Sequence, residues 1–256
     1  MSSLVSILNL ALLGTREWIR LKFFNIVVFS SVLFLGFSYL LSTLTFAVQD
    51  RLLFDFGLGG LEIGLLFISA MMGSYAIQRE IDRKTLFVLL VRPLPRWHII
   101  AGSFGSLFVL SLIFTLGFGF SLMLASGQLQ LLGPFLICAG TSFLKSLVFS
   151  SFALAMGLIV RPILALALTF CYWILCYSVP DIEFFTKKLD SPGLNQLVRF
   201  LDTVIPQFYR INWKAYYFLK NSPTGMEFLW AVCICLGWTF FWLFVAAHFF
   251  RRKEIA

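Results

Sequence analysis

Charged residues are scarce in this chain of 256 residues: only 12% are Asp, Glu, Lys or Arg, whereas 60% are hydrophobic. A soluble domain is about a quarter charged, so the composition excludes an ordinary water-soluble fold and indicates a membrane protein. Cysteine and histidine are also few, with five and two residues. Because the cysteines lie inside apolar runs, they indicate neither a disulfide framework nor a metal site.

Motifs for catalysis and nucleotide binding are missing as well. The sequence has no HExxH or GxSxG pattern and no carboxylate pair within its apolar runs. The segment around Lys145 differs from a phosphate-binding loop because Leu144, not glycine, precedes the lysine. The net charge of +8 does not indicate nucleic-acid binding, since the basic residues lie between apolar runs. We therefore expect no enzyme activity, no cofactor, no metal and no nucleic-acid partner for this chain.

Long apolar runs are what the chain does have. About 20 apolar residues cross the hydrocarbon core of a bilayer, and the runs are divided by turn signals such as Gly133-Pro134 and Arg161-Pro162. The predicted spans are 25–48, 59–78, 99–126, 134–160, 162–180 and 227–250. The sequence therefore predicts an all-α polytopic membrane protein with a single transmembrane domain of six helices over residues 1–256.

The basic residues distinguish the two sides of the membrane. Most Lys and Arg residues fall on the side that holds both termini, the 79–98 hairpin and Arg161. The positive-inside rule places that side in the cytoplasm. We therefore expect a protein of the plasma (inner) membrane with both termini cytoplasmic. The long loop 181–226 is then extracytoplasmic. Leu197, Phe200, Leu201 and Val204 share one helical face, and the Tyr and Trp residues of the loop favour the headgroup zone, so we expect one or two short helices packed on the outer mouth.

The N-terminal segment 1–24 has apolar residues at helical spacing, followed by Arg16 and Arg20 four residues apart. This pattern predicts an interfacial helix whose basic residues face lipid phosphates or a partner. The alternative is a plain basic flank to the first membrane helix.

The hairpin 79–98 combines charge with a short apolar run. Glu80 and Lys84 have the stabilising helical spacing, and an apolar run from Leu86 to Val91 follows before Pro93 ends any helix. Even with Thr85 included, the seven residues Thr85 to Val91 cannot cross a bilayer, and exposed apolar area is usually covered by lipid or by protein. The physical pattern leaves both open: a helix lying on the inner leaflet, or one docked into a soluble partner.

The stretch REIDRKTLFVLLVRPLPRWHIIAG resembles the cytoplasmic loop between the second and third helices of ABC-2 type transporter permeases. Ser103 stands where many relatives have lysine. The six-span plan, the basic interfacial helix and the long loop before the last span are also similar to that family. The matching positions of the loop are Glu80, Thr85, Leu89, Leu90, Pro93, Arg96 and Gly102.

The resemblance implies a permease that pairs with a second permease copy, as a homodimer or heterodimer, and with two copies of a cytoplasmic ABC ATPase that binds ATP and Mg²⁺. It implies export of a hydrophobic or amphipathic substrate. A membrane anchor or assembly factor and a lipid-metabolising membrane enzyme remain the alternatives. The expected ATPase-coupling residues are Glu80, Arg83, Thr85, Leu86, Leu89, Leu90, Pro93 and Arg96, with Arg16 and Arg20 as contacts from the N-terminal helix.

Lys145 is a basic residue deep within a predicted span, about 16 Å from its start at 1.5 Å per residue. Ser142 and Ser146 lie beside it in the sequence. An intramembrane charge is costly and usually faces a cavity or a partner. This polar stripe is therefore a candidate for the translocation path or for a dimer interface. Snorkelling, a shifted span or pairing with a nearby carbonyl are the alternatives.

Overall fold

The computed structural model describes residues 3–20, 22–44, 49–82, 97–126, 132–188, 205–215 and 223–252, with isolated residues between 193 and 202. These residues form helices and contain no strand, which confirms the all-α prediction for the described part of the chain. A π-helical turn, Ile68–Met72, joins two of the helices end to end. The helices are α1 (Ser3–Arg20), α2 (Lys22–Leu44), α3 (Gln49–Phe67), α4 (Gly73–Asp82), α5 (Trp97–Ser126), α6 (Leu132–Ile159), α7 (Pro162–Lys188) and α8 (Gly225–Arg252).

Five helices within the described residues are long and apolar enough to cross a membrane, by length and composition. They correspond in order to the predicted second to sixth spans. Helix α2 overlaps the predicted first span, 25–48, but is not among the five, so the six-span layout stays a prediction. The five ranges are Leu53–Arg79, Trp97–Ser126, Leu132–Ile159, Pro162–Thr186 and Gly225–Arg251.

The second spanning helix begins earlier than the sequence pattern indicates. Helix α3 starts at Gln49 rather than near residue 59, and Arg51 and Asp55 form an i,i+4 ion pair of 3.7 Å on its exposed side. Three of its four glycines, Gly57, Gly60 and Gly64, lie at packing contacts: a side chain at Gly57 would meet Leu122 of α5. Charge pairing and helix packing therefore extend the helix through a segment that looks like a loop in sequence.

Helix α7 also runs beyond its predicted end. The predicted boundary was residue 180, but the helix includes Pro180 and continues to Lys188. A proline removes one backbone hydrogen bond from a helix without preventing the chain from remaining helical. The described part of the predicted outer loop 181–226 therefore starts as helix.

Helix α6 forms the centre of the bundle. An 18-residue apolar stretch of α6 is 78% buried within the described structure, whereas the corresponding stretch of α8 is only 17% buried. Helix α6 packs against α3, α4, α5, α7 and α8. The outward faces of α7 and α8 expose large apolar side chains, such as Phe240 and Phe244. Exposed apolar surface of this extent suits a lipid environment.

Helices α4 and α6 approach each other closely at two glycines. A Cβ at Gly73 would lie 2.7 Å from the Ala153 Cβ, and one at Gly157 would collide with the Ser74 carbonyl group. Small residues allow such backbone contact between membrane helices. This close packing holds α4 and α6 together as one unit.

Helix α1 lies across the beginning of α5. A Cβ at Gly102 would lie 2.7 Å from the Leu10 Cβ, and one at Gly105 would lie 2.9 Å from the Ala11 Cβ. The small residues at the start of α5 therefore serve a contact within the chain. The opposite side of α1 exposes apolar side chains, including Leu13 at 61%, as an interfacial helix would.

Candidate functional site

A buried charge cluster joins three helices and the segment 205–215. Glu62 comes from α3, Lys145 from α6 and Tyr177 from α7, while Lys214 lies in the 3₁₀ turn Trp213–Ala215. The side chains of Lys145 and Glu62 are only 2% and 9% exposed, and that of Lys214 is 22% exposed. We call these four residues the charge cluster.

Both carboxylate oxygens of Glu62 accept hydrogen bonds from other members of the charge cluster. The Lys145 Nζ lies 3.4 Å from the Glu62 Oε1, and it also donates a hydrogen bond of 2.9 Å to the Tyr177 hydroxyl. The Tyr177 hydroxyl in turn donates to the same Oε1, and the Lys214 Nζ donates to Oε2. With ionised side chains, the cluster holds two cations and one anion, and so carries one excess positive charge.

This geometry explains how a lysine is tolerated midway along α6. A charge inside a membrane protein is costly unless an opposite charge and hydrogen bonds compensate it. Glu62 supplies the charge and Tyr177 supplies a further acceptor. Sequence reasoning found Lys145 but missed these partners. The one available signal was Glu62 itself, an acidic residue inside the predicted second span.

The two serines predicted beside Lys145 are buried inside the chain, with Ser142 at 3% and Ser146 at 1% exposure. The Ser146 carbonyl accepts a hydrogen bond of 3.0 Å from the Ser69 hydroxyl, and the Ser150 hydroxyl donates to that of Ser69 at 3.0 Å. Polar contacts therefore continue from the charge cluster along the interface between the second spanning helix and α6. A role in translocation or dimerisation stays a prediction for these residues.

The segment 205–215 packs on the bundle next to the charge cluster. Phe208 is fully buried, and its ring centroid lies 5.3 Å from that of Phe149. The Cys138 thiol donates to the Trp213 carbonyl at 3.7 Å, and the Trp213 ring contacts that of Phe228 near the start of α8. The segment forms two short 3₁₀ turns, which agrees with the expected packing of short elements against the helices.

A second set of contacts lies at the end of α4. The Arg79 guanidinium is 3.4 Å from the Glu17 carboxylate of α1 and 5.0 Å from the centre of the Trp18 ring. Trp18 is buried, with 8% of its surface exposed. Helix α1 is therefore attached both to α5 and to the end of α4.

Residues 61–255 match the family described as ABC-2 family transporter protein. The chain belongs to this family. The match begins one residue before Glu62 and includes the whole charge cluster, α4 and α8. No curated protein matches the chain.

Membership in the ABC-2 family makes this chain a polytopic membrane permease, the non-catalytic subunit of an ABC transporter. Permeases of this family associate with an ABC ATPase and dimerise. The family match therefore agrees with the resemblance in the 79–98 hairpin. Within the described residues, no group of three His, Cys, Asp or Glu side chains could hold a metal ion.

The predicted coupling residues of this ABC-2 permease lie mostly outside the described residues. Arg16 and Arg20 are described, and both are exposed on α1. Among the described residues, an ion pair between Glu17 and Arg79 joins α1 to α4, and the contacts expected from Arg16 and Arg20 stay a prediction. The side chain of Glu80 and all of Arg83, Thr85, Leu86, Leu89, Leu90, Pro93 and Arg96 lie outside the described residues.

Proposed function

We propose that this ABC-2 permease is the membrane subunit of an ATP-driven exporter, and that residues 79–98 connect it to a separate cytoplasmic ATPase. The observation that carries the proposal is the attachment of Arg79, at the end of α4, to Glu17 and Trp18 of α1. The helix that leads into the hairpin is thus fixed to a second element at the point where force would enter.

The packing of α4 supports transmission of that force into the bundle. Helix α4 continues α3 through the π turn Ile68–Met72 and packs closely on α6, while α1 packs on α5. A displacement of the hairpin would therefore move α1, α4, α5 and α6 together, since packed helices shift as rigid bodies. Closure of an ATPase pair on ATP would supply the displacement. The proposed coupling residues are those predicted in the hairpin.

The proposed orientation places α1 and the end of α4 in the cytoplasm and the segment 205–215 outside, as the positive-inside rule indicates. The apolar outward faces of α7 and α8 suit a cargo that approaches from the lipid phase, so we propose a hydrophobic or amphipathic substrate that moves outward. A second permease copy completes the proposed transporter.

A substitution in the hairpin tests the proposal. Leu89→Asp places a charge in the apolar run expected to contact the ATPase, and should abolish co-purification of an ATPase subunit with the tagged permease. Leu132→Asp is the matched control, because Leu132 is 40% exposed at the opposite end of the bundle, where a charge can reach water.

The measurement is identification of the co-purified ATPase by mass spectrometry, together with ATP hydrolysis by the complex reconstituted in liposomes. We expect full recovery and hydrolysis for the wild type and for the control. Equal recovery of the ATPase with Leu89→Asp would refute coupling through the hairpin. Absence of an ATPase from the wild-type preparation would favour a membrane anchor.

A further inference from the structure

The two lysines that pair with Glu62 differ in burial and in the kind of element that carries them. Glu62 and Lys145 are almost fully buried, whereas the Lys214 side chain is 22% exposed and belongs to the segment 205–215. One carboxylate thus holds an inner cation from a transmembrane helix and an outer cation from a connecting segment.

We propose that Lys214 and Glu62 form a releasable latch, which holds the segment 205–215 packed into the bundle against α6 and α7 and opens when cargo leaves. The proposal rests on the proposed function for its sidedness and for the link to transport. The latch itself is a property of the folded chain and can be tested without the ATPase.

The ion pair between Glu62 and Lys145 lowers the free-energy cost of releasing Lys214. When Lys214 moves into water, Glu62 keeps Lys145 and the Tyr177 hydroxyl as partners, so no buried charge is left without compensation. The excess positive charge of the closed cluster is relieved at the same time. A latch on an unpaired carboxylate would leave a buried anion each time it opened, at a large cost in free energy.

The structural elements that carry Glu62 and Lys214 differ in rigidity. Glu62 lies on α3, which continues through the π turn into α4, and α4 packs closely through Gly73 and Gly157 on α6, the helix that carries Lys145. Lys214 lies on a 3₁₀ turn, and short 3₁₀ turns have weaker hydrogen-bond geometry than α-helix. The segment that carries Lys214 is therefore the part that can move.

The chain contains a native reporter for this movement. Cys138 is 4% exposed and its thiol contacts the Trp213 carbonyl, directly beneath the segment. It lies about 9 Å from the start of α6 at 1.5 Å per residue. Lifting of the segment 205–215 would uncover Cys138 to an aqueous thiol reagent.

The experiment measures the rate at which a membrane-impermeant methanethiosulfonate labels Cys138. The background protein keeps Cys138 and has the other four cysteines replaced, and a chain that also carries Cys138→Ala defines zero. The replacements are Cys171→Ser, Cys176→Ala, Cys233→Ser and Cys235→Ala. Labelling is measured in detergent and in sealed right-side-out vesicles.

Lys214→Met should raise the labelling rate about tenfold or more, because loss of a charged hydrogen bond shifts the local opening equilibrium by at least that factor. Lys214→Arg should restore slow labelling. Lys145→Met leaves the latch pair in place and should not raise the rate. Equal labelling of the Lys214→Met protein and the background protein overturns the proposal, as does a matching increase with Lys145→Met.

Arg210→Met is the matched control within the same segment. Arg210 is exposed and pairs with Asp202 at 3.9 Å rather than with the charge cluster, so its loss should leave labelling unchanged. An increase equal to that of Lys214→Met would show general loosening of the segment and would contradict a specific latch.

Amine footprinting of the unsubstituted protein decides the question if Lys214→Met does not fold. Lys214 should react with an impermeant acylating reagent at least about tenfold more slowly than the exposed Lys188, and equal rates refute the latch. Labelling of Cys138 in detergent tests the latch itself, because both sides of the protein are then accessible. Labelling in detergent but not in sealed right-side-out vesicles would contradict the proposed orientation.

Discussion

Replacement of Glu62 by glutamine tests the charge cluster most directly. The substitution keeps the side-chain volume but removes the anion that faces both lysines. At the observed 3.4 Å between Lys145 Nζ and Glu62 Oε1, the pair is worth about 5 kcal/mol at an effective dielectric constant of about 20. Removal of one partner from a buried pair costs roughly 3–5 kcal/mol, since the other charge stays buried. We expect Glu62→Gln to lower the free energy of unfolding by about that amount.

A double-mutant cycle separates charge compensation from loss of packing. Lys145→Met alone leaves Glu62 paired with Lys214. In the double variant Glu62→Gln/Lys145→Met, the remaining Lys214 can extend toward water, because its side chain is already 22% exposed. The double variant should therefore be more stable than Glu62→Gln alone by roughly 2 kcal/mol. Additive losses would refute the account of the cluster as a compensated charge group.

The assay is reversible unfolding of the purified permease in mixed detergent micelles, followed by far-ultraviolet circular dichroism. Asp181→Asn is the matched acid-to-amide control, because Asp181 is exposed on α7, and surface substitutions usually change stability by less than about 0.5 kcal/mol. Wild-type stability of Glu62→Gln would show that the buried lysines do not need the carboxylate.

Two further substitutions test the helix contacts. Gly157→Ala should destabilise the bundle by about 1–3 kcal/mol, because its Cβ would collide with the backbone of α4. Gly140→Ala has open space around it and should stabilise α6 by about 0.5–1 kcal/mol; the same sign for both in a detergent melt would contradict the packing argument. Arg79→Gln should cost under about 1 kcal/mol of stability, since the side chain of its partner Glu17 is 43% exposed, yet should lower the cargo moved per ATP in liposomes. Arg51→Gln is its control, because Arg51 pairs with Asp55 at the other end of the same continuous helix, and an unchanged ratio for Arg79→Gln would count against the α1–α4 attachment as part of coupling.

Hydropathy was sufficient to locate most of the membrane helices. The predicted spans 99–126 and 134–160 correspond to Trp97–Ser126 and Leu132–Ile159. This agreement follows from the solvent, since a helix in hydrocarbon must be apolar over its whole crossing length. The pattern was less informative near Gln49, where side-chain pairing and packing extend the helix through residues that are common in loops, and near Pro180, which lies inside a helix.

The candidate site was only partly predictable. Lys145 stands out in the sequence because a cation inside an apolar run needs a partner. Its partner Glu62 is 83 residues away, and Lys214 is 152 residues from Glu62. Contacts between residues so far apart in the chain produce no periodic pattern in the sequence. The same holds for Arg79 and Glu17, since the contact between α1 and α4 that this pair makes leaves no signal in the sequence.

Membrane insertion and the all-helical class are local properties, because they depend on how each short stretch partitions between water and lipid. The composition and the apolar runs therefore specify them without reference to the rest of the chain. The identity of the residues that share the Glu62 carboxylate depends instead on which helix faces meet. Those faces meet where glycine and serine allow close approach, and this selection is made among distant segments only when the whole bundle packs.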